Sequence, residues 1–340
     1  MKRVVCVLVV VFSLALAVSC YGQEMKLHIA HWNVPKDPNT KVLQEMAKEI
    51  EEASGGAVKS EISWQALGKP GDYYDALVNG LCDIALFGPT YSPGRFPVSE
   101  MMTLPIHYPK NRITVMAYYK LWKMGLLSKE FEKFVPVAVG NNGSFLFMWG
   151  KAPVDKLSEL KGKKVSAPYT IHTKMVERAG ATPVSMPVTE VYSAIATGVI
   201  DGCWQIWPAM PVFKLQEVVK FATDVSMSCG PYVIGVNKET YKKLPEKVQK
   251  LLNENNERYS MMMADAFQNF NDLGKKMFLD SGGKISNFSP QDTDKLNTLF
   301  KPIFAEWVEY AKARGVPAEN ALDDLYNILV DLGVEKPFAR

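Results

Sequence analysis

The sequence predicts an α/β fold built on a mixed, mostly parallel sheet with flanking helices. Three observations carry that expectation: strand runs alternate with helical runs, turn residues stand at the joints, and one long amphipathic helical pattern occupies the last third of the chain. Alternating strands and helices require crossover connections, which place strands parallel and helices on both faces. In such sheets ligands sit beyond the carboxyl ends of the strands.

The first strand, Lys26–Ala30, alternates in polarity and delivers His31, Trp32 and Asn33 to a Pro-rich turn. Helix Lys41–Ala53 carries Leu43, Met46, Ala47 and Ile50 on one stripe and stops at Gly55-Gly56. Val58–Trp64 returns as a strand, Tyr73–Val78 is helical, and Cys82–Phe87 is a short apolar strand between Gly80 and Gly88. Strands Phe134–Val139 and Ser144–Trp149 flank Gly143, where a new unit begins. Lys156–Leu160 reads as a short helix and Lys163–Ala167 as the next strand. The run from Gly162 to Phe221 is strand, helix, strand, helix, with Thr173–Ala179 as its first helix and Tyr192 and Ile195 on the core face of its second. Tyr232–Asn237 leads back to the first unit. Pro245 opens one helical stretch to Leu279, with Leu252, Tyr259, Met263, Phe267, Phe270, Leu273, Met277 and Phe278 near the 3.6 period. At ~1.5 Å per residue it would run ~50 Å.

A chain of 340 residues has room for two domains of ordinary size. Its formal charge of +3, with no long basic run, gives no footprint for nucleic acid. Met1-Lys2-Arg3 followed by the apolar run Val4–Val18 reads as an export signal, shorter than the ~20 residues that a membrane span needs. Residues 1–22 are therefore expected to be a signal peptide. Two cleavage readings stand: a lipobox ending in Cys20, which would anchor the protein by a lipid, or ordinary cleavage releasing a soluble periplasmic protein. Cys82, Cys203 and Cys229 form no metal-ligand spacing; Cys203 and Cys229 either pair or join Cys82 as buried thiols, the favoured reading. The four His residues are scattered and give a metal little support.

Three motifs in order, ALVNGLCDIA at 76–85, TYSPGRFP at 90–97, and ATPVSMPVTEVYSAI at 181–195 with GVIDG at 198–202, carry a resemblance over nearly the whole mature chain. The chain resembles the solute-binding proteins of tripartite ATP-independent periplasmic (TRAP) transporters, the DctP-like family. The resemblance implies a two-lobed periplasmic binding protein fold with an interlobe cleft and a long helix running behind both lobes as a spine. It implies one lobe from residues 24–142 with 230–275 and another from 143–229 with 276–340. It further implies a monomer that captures a small solute and delivers it to membrane permease subunits, without a cofactor or catalysis.

Against this family's pattern the chain departs at two places. Most members carry an Arg in the strand after the Gly-x-Lys turn, where it meets a ligand carboxylate; in GKKVSAP at 162–168 that position is Ser166. Such a bidentate contact is worth ~1.5–3 kcal/mol, so a ligand dependent on it should bind poorly here. His172, near the start of the next helix, is either a substitute donor to an anion or an exposed helix-start residue. After Asp201-Gly202, Gln205 stands at a family Asn position and Trp207 at a subgroup Trp, with Pro208 where that subgroup has Glu.

Aromatic residues recur where strands should end at the cleft. Trp32, Tyr91, Phe145, Phe147, Trp149, Tyr169, Trp204 and Trp207 are such positions, with lobe packing the plain alternative for Phe147 and Trp149. The expected ligand-binding set is Trp32, Tyr91, Phe145, Phe147, Ser166, Tyr169, His172, Gln205 and Trp207, with no metal ligand and no catalytic residue. Arg95 is expected to brace its loop through a backbone carbonyl, Glu190 to favour a helix start, and Trp64 to pack. A cleft rich in ring faces and poor in cations favours an aromatic or heterocyclic solute. An amine held by cation–π attraction and an aliphatic acid held by loop N–H groups are the alternatives. An exported enzyme is disfavoured, since the chain has no G-x-S-x-G elbow, P-loop or His-rich motif.

Overall fold

The computed structural model describes residues 24–338. Its nine strands are β1 (Met25–His31), β2 (Val58–Trp64), β3 (Ile84–Phe87), β4 (Phe134–Trp149), β5 (Lys164–Ser166), β6 (Thr182–Val184), β7 (Gly202–Gln205), β8 (Phe221–Asn237) and β9 (Lys284–Ser286). They join in the order β2-β1-β3-β8-β4-β7-β5-β6, with β9 beside β8. Pairing is parallel at both ends of this order, β1 with β2 and β3, and β5 with β6 and β7. It is antiparallel in the middle, where β8 meets β3 and β4, and β4 meets β7.

The middle pair is what joins two half-sheets. β4 and β8 are 16 and 17 residues long, about three times an ordinary strand. The first part of β4, Phe134–Asn141, pairs with Asn237–Pro231 on the side of β3; its last part, Phe145–Trp149, pairs with Met227–Phe221 on the side of β7. The register slips between Asn141 and Ser144 and again on either side of Phe145. Gly143 has φ +91 and Ser228, opposite, has φ +64. Such bulges bend and twist a ladder without ending it. The two strands expected on either side of Gly143 are thus one strand with a bulge, because the backbone there keeps pairing with β8 while it turns.

Helices cover both faces, as the alternation required. Thr40–Ala53 buries Leu43, Met46 and Ile50 of its expected stripe, with Val42 beside them and Ala47 partly buried. The expected single helix from Pro245 is two, Glu246–Glu254 and Asn256–Asp280, separated at Asn255 with φ −105 and ψ 15. Both Asn side chains at the break turn back on the backbone: Asn255 Nδ2 donates to Leu251 O and Asn256 Nδ2 to Leu252 O and Val137 O. That local bonding competes with the helical ladder. The 25-residue second part still reaches both half-sheets, from Val139 N–H donating to Ser260 Oγ near one end to Phe278 packed on Trp207 near the other. Leu273, expected on the apolar stripe, is 43 % exposed.

Helices Asn111–Lys123, Pro290–Lys312 and Ala318–Asp331 were not anticipated. The second of them ties the halves together from behind. Trp307 Nε1 donates to Pro97 O at 2.9 Å, while Glu306 pairs with Lys174 and Arg178 of helix Thr170–Arg178. Arg95 bonds the carboxylate of Asp75 rather than a backbone carbonyl. Cys82, Cys203 and Cys229 are buried free thiols, and burial pushes the Cys82 thiol up to about 12.

Candidate binding cavity between the half-sheets

Three strands deliver their carboxyl ends to one narrow space of about 30 Å³. β1 ends in the loop bearing Trp32, Asn33 and Asp37; β3 runs through Gly88 into the turn of Tyr91; β5 runs through Pro168 to Tyr169, which precedes helix Thr170–Arg178. Gln205 at the end of β7, Phe145 of β4, Tyr232 of β8 and Phe267 of the long helix complete much of the wall. The cavity therefore lies where the shared strands bend, and it touches both half-sheets.

Its rings meet edge to face. Trp32 lies 5.4 Å from Tyr91 and 6.1 Å from Tyr232, and Tyr91 lies 5.3 Å from Tyr169, which in turn is 5.9 Å from Phe145. These are the tilted distances at which ring edges and faces attract. The contact of Tyr91 with Tyr169 joins residues delivered by β3 and by β5. Asn142 at the bulge holds this arrangement: its Nδ2 donates to the Tyr169 hydroxyl at 3.2 Å and its Oδ1 accepts Gly230 N–H at 2.7 Å. Burial pushes the phenols of Tyr91 and Tyr232 well up and that of Tyr169 to about 12, so all three stay neutral hydrogen-bonding groups. Gln205 Oε1 accepts Ile206 N–H at 3.1 Å, which leaves its Nε2 donors for other partners.

Trp32, Tyr91, Phe145, Tyr169 and Gln205 of the expected set line this cavity. Phe147, Ser166, His172 and Trp207 do not. Phe147 lies outside the lining, 4.6 Å from Trp204 and 5.5 Å from Trp149; the ladder is irregular between Phe145 and Phe147, which breaks the same-face relation of residues two apart. Ser166 is buried within β5, paired between Val184 and Cys203. His172 sits behind Phe145 and Tyr169, at 4.4 and 4.8 Å, fully buried rather than exposed. Ser228 Oγ donates to Thr103 O and so accepts from His172 Nε2 at 2.6 Å, while Nδ1 is buried without a partner. Burial drives the imidazole down to about 3, so it supplies no cation. Trp207 is drawn away onto the long helix, 5.3 Å from Phe278.

Sequence reasoning missed Asp37, Asn142, Tyr232 and Phe267 in the lining. Tyr232 and Phe267 stood in recognised elements, yet an apolar residue on a strand or helix stripe carries no mark separating a core face from a cavity face. No Lys or Arg lines the cavity among the described residues.

A family model described as bacterial extracellular solute-binding protein, family 7 (DctP), matches residues 29–310. The chain belongs to this family. A TRAP solute-binding protein from a marine metagenome, described as specific for aromatic acid ligands and solved with metahydroxyphenylacetate, is 25% identical, covers 92% of this chain and 100% of its own, and superposes with a TM-score of 0.86. One from Rhodoferax ferrireducens, solved with copurified benzoate, is 23% identical with a TM-score of 0.84 over 90% of this chain and 98% of its own, a likeness of fold. The C4-dicarboxylate-binding periplasmic protein DctP of Rhodobacter capsulatus is 27% identical over 70% of this chain and 72% of that protein. As a DctP-family TRAP solute-binding protein, the chain has the two-lobed mixed α/β architecture of these structures. Proteins of this family are periplasmic, bind small solutes and work with membrane permease subunits; they are not enzymes. No helix among the described residues is long and apolar enough to cross a membrane. The expected signal peptide and Cys20 lie outside the described residues.

Proposed function

We propose that this DctP-family protein captures an aromatic or heterocyclic solute in the cavity between its half-sheets and releases it to a TRAP permease. The observation that carries this reading is the wall itself. Trp32, Tyr91, Phe145, Tyr169 and Tyr232 surround a narrow space with tilted ring faces, and no Lys or Arg lines it among the described residues. Ring stacking and apolar burial are then the main terms on offer to a solute, with Gln205, Asn142 and the phenols fixing its orientation. That a relative of 0.86 TM-score is described as specific for aromatic acids supports the aromatic part of the reading.

In this reading the chain acts as a monomer whose lobes, 24–142 with 230–275 and 143–229 with 276–340, close by bending at the bulge of β4 and β8. Closure of two rigid bodies around a solute at a few hinge residues is a common physical device. Native mass spectrometry of the mature protein, before and after mild denaturation, tests it directly. An aromatic compound released intact is the expected result. Retention of aliphatic diacids alone, or conversion of the solute, would overturn the reading.

A further inference from the structure

We propose that the solute carries a positively charged nitrogen and that Asp37 receives it. This rests on the reading above that the cavity between the half-sheets is where the solute binds.

Asp37 belongs to the cavity lining and is only 5 % exposed. Its Oδ1 accepts Asn39 N–H at 2.8 Å and His31 Nε2 at 3.1 Å, and its Oδ2 accepts Asn33 Nδ2 at 2.7 Å. Each of these donors is neutral. The amides are neutral by nature, and His31 is neutral by geometry. Its Nδ1 accepts Asn33 N–H at 3.2 Å and so bears a lone pair, which leaves one ring proton, on Nε2 facing Asp37. Neutral donors stabilise a carboxylate without cancelling its charge. Lys36, its neighbour in sequence, is exposed and outside the lining. Of the roughly four acceptor positions on a carboxylate, three are used and one on Oδ2 remains open.

The wall therefore presents a buried negative charge beside rings. Tyr91 and Tyr232, both close enough for the Asp37 charge to add to their upward shift, flank Trp32 at 5.4 and 6.1 Å. Their tilted faces suit a cation, whose attraction to each ring adds to that of the carboxylate. An anionic solute would meet the opposite: a like charge in a desolvated space and no Lys or Arg in the lining among the described residues. Trp32 Nε1 is buried without a partner, so the solute also has an acceptor to gain from, such as a hydroxyl or carbonyl oxygen. Without a solute, Asp37 would only brace the turn before helix Thr40–Ala53, whose N-terminal dipole favours it.

Thermal-shift and calorimetric titration of the whole mature protein with four probes separates these. Tyramine and 4-hydroxyphenylacetate share a ring and differ in charge; butylamine and butanoate repeat the charges without a ring. Tyramine binding at least tenfold more tightly than 4-hydroxyphenylacetate is the expected result, with Asp37→Asn weakening tyramine roughly ten- to hundredfold, the loss of one charge-assisted contact. If 4-hydroxyphenylacetate binds and tyramine does not, the proposal falls while the aromatic reading stands. If butylamine matches tyramine, the ring is irrelevant and the aromatic reading falls while the charge assignment stands. Binding of butanoate alone, or of none of the four at millimolar concentration, overturns both. The charge comparison on the unaltered protein stands even if Asp37→Asn does not fold, because that carboxylate also holds its turn.

Discussion

Gly274 lies so close to Trp207 that a β-carbon built on it would stand 2.0 Å from the Trp207 carbonyl oxygen. This contact presses the long helix against the loop after β7, whose Trp207 indole packs on Phe278 of the same helix. Because the obstacle is backbone, neither partner can give way by changing rotamer. Gly274→Ala should destabilise the protein by about 1–3 kcal/mol or more, despite the higher helix propensity of Ala. Urea denaturation measures it; a variant as stable as the parent would mean that the helix and loop are not held together there.

A second close approach stands at the cavity. A β-carbon on Gly230 would meet the Tyr169 hydroxyl at 2.3 Å and Asn142 Nδ2 at 2.7 Å. Gly230→Ala is expected to displace the Tyr169 ring and weaken solute binding roughly tenfold, the scale of one lost aromatic contact. Adding Tyr169→Phe removes the obstructing hydroxyl and should restore part of that loss. Calorimetry on the single and double variants decides it, since independent effects would simply add.

His172 links stability to acid. Its folded-state value is lowered from 6.5 to about 3 by burial, so on acidification the unfolded chain takes up a proton that the folded chain refuses. Stability should therefore be full above about 6.5 and fall as pH drops towards 3, by at most about 1.4 kcal/mol per pH unit. His172→Gln should flatten that slope in denaturation curves recorded across the window, even if it lowers stability throughout.

Glu130 should act with the opposite sign. Its carboxylate accepts from Val98 N–H, Ser99 N–H and Ser99 Oγ, yet burial outweighs these bonds and raises it from 4.5 to about 7. The folded state then keeps a proton that the unfolded state releases, so this stabilisation is full below about 4.5 and is lost as pH rises through 7. Glu130→Gln cannot titrate, and its stability should lack that decline. A slope unchanged by the substitution would assign the dependence elsewhere.

Much of the architecture was legible because it is local. The stripe of Thr40–Ala53, the bounds of β2 and of helix Tyr73–Val78, and the apolar run of β3 follow from periodicity and turn residues within a few positions. The same local logic misjudged β4 and the helix after Pro245. Whether Gly143 ends a strand depends on a partner more than eighty residues away, and the break at Asn255 depends on where amide side chains find carbonyls. The helices Asn111–Lys123 and Pro290–Lys312 went unread, although Trp307 and Phe300 of the latter are buried.

The sequence carries the class of fold, the family motifs and the absence of an Arg at Ser166, since each is written in residue type and order. It also marked Trp32, Tyr91 and Tyr169 as strand-end rings. Tertiary packing decides which aromatics share a wall: Phe145 lines the cavity while Phe147, two residues on, packs between Trp204 and Trp149 outside it, with the ladder irregular between the two. It likewise decided that His172 is a buried neutral base and that Asp37 stands in the wall. Charge and burial at a cavity are sums over residues brought together from distant strands, and no stretch of sequence contains that sum.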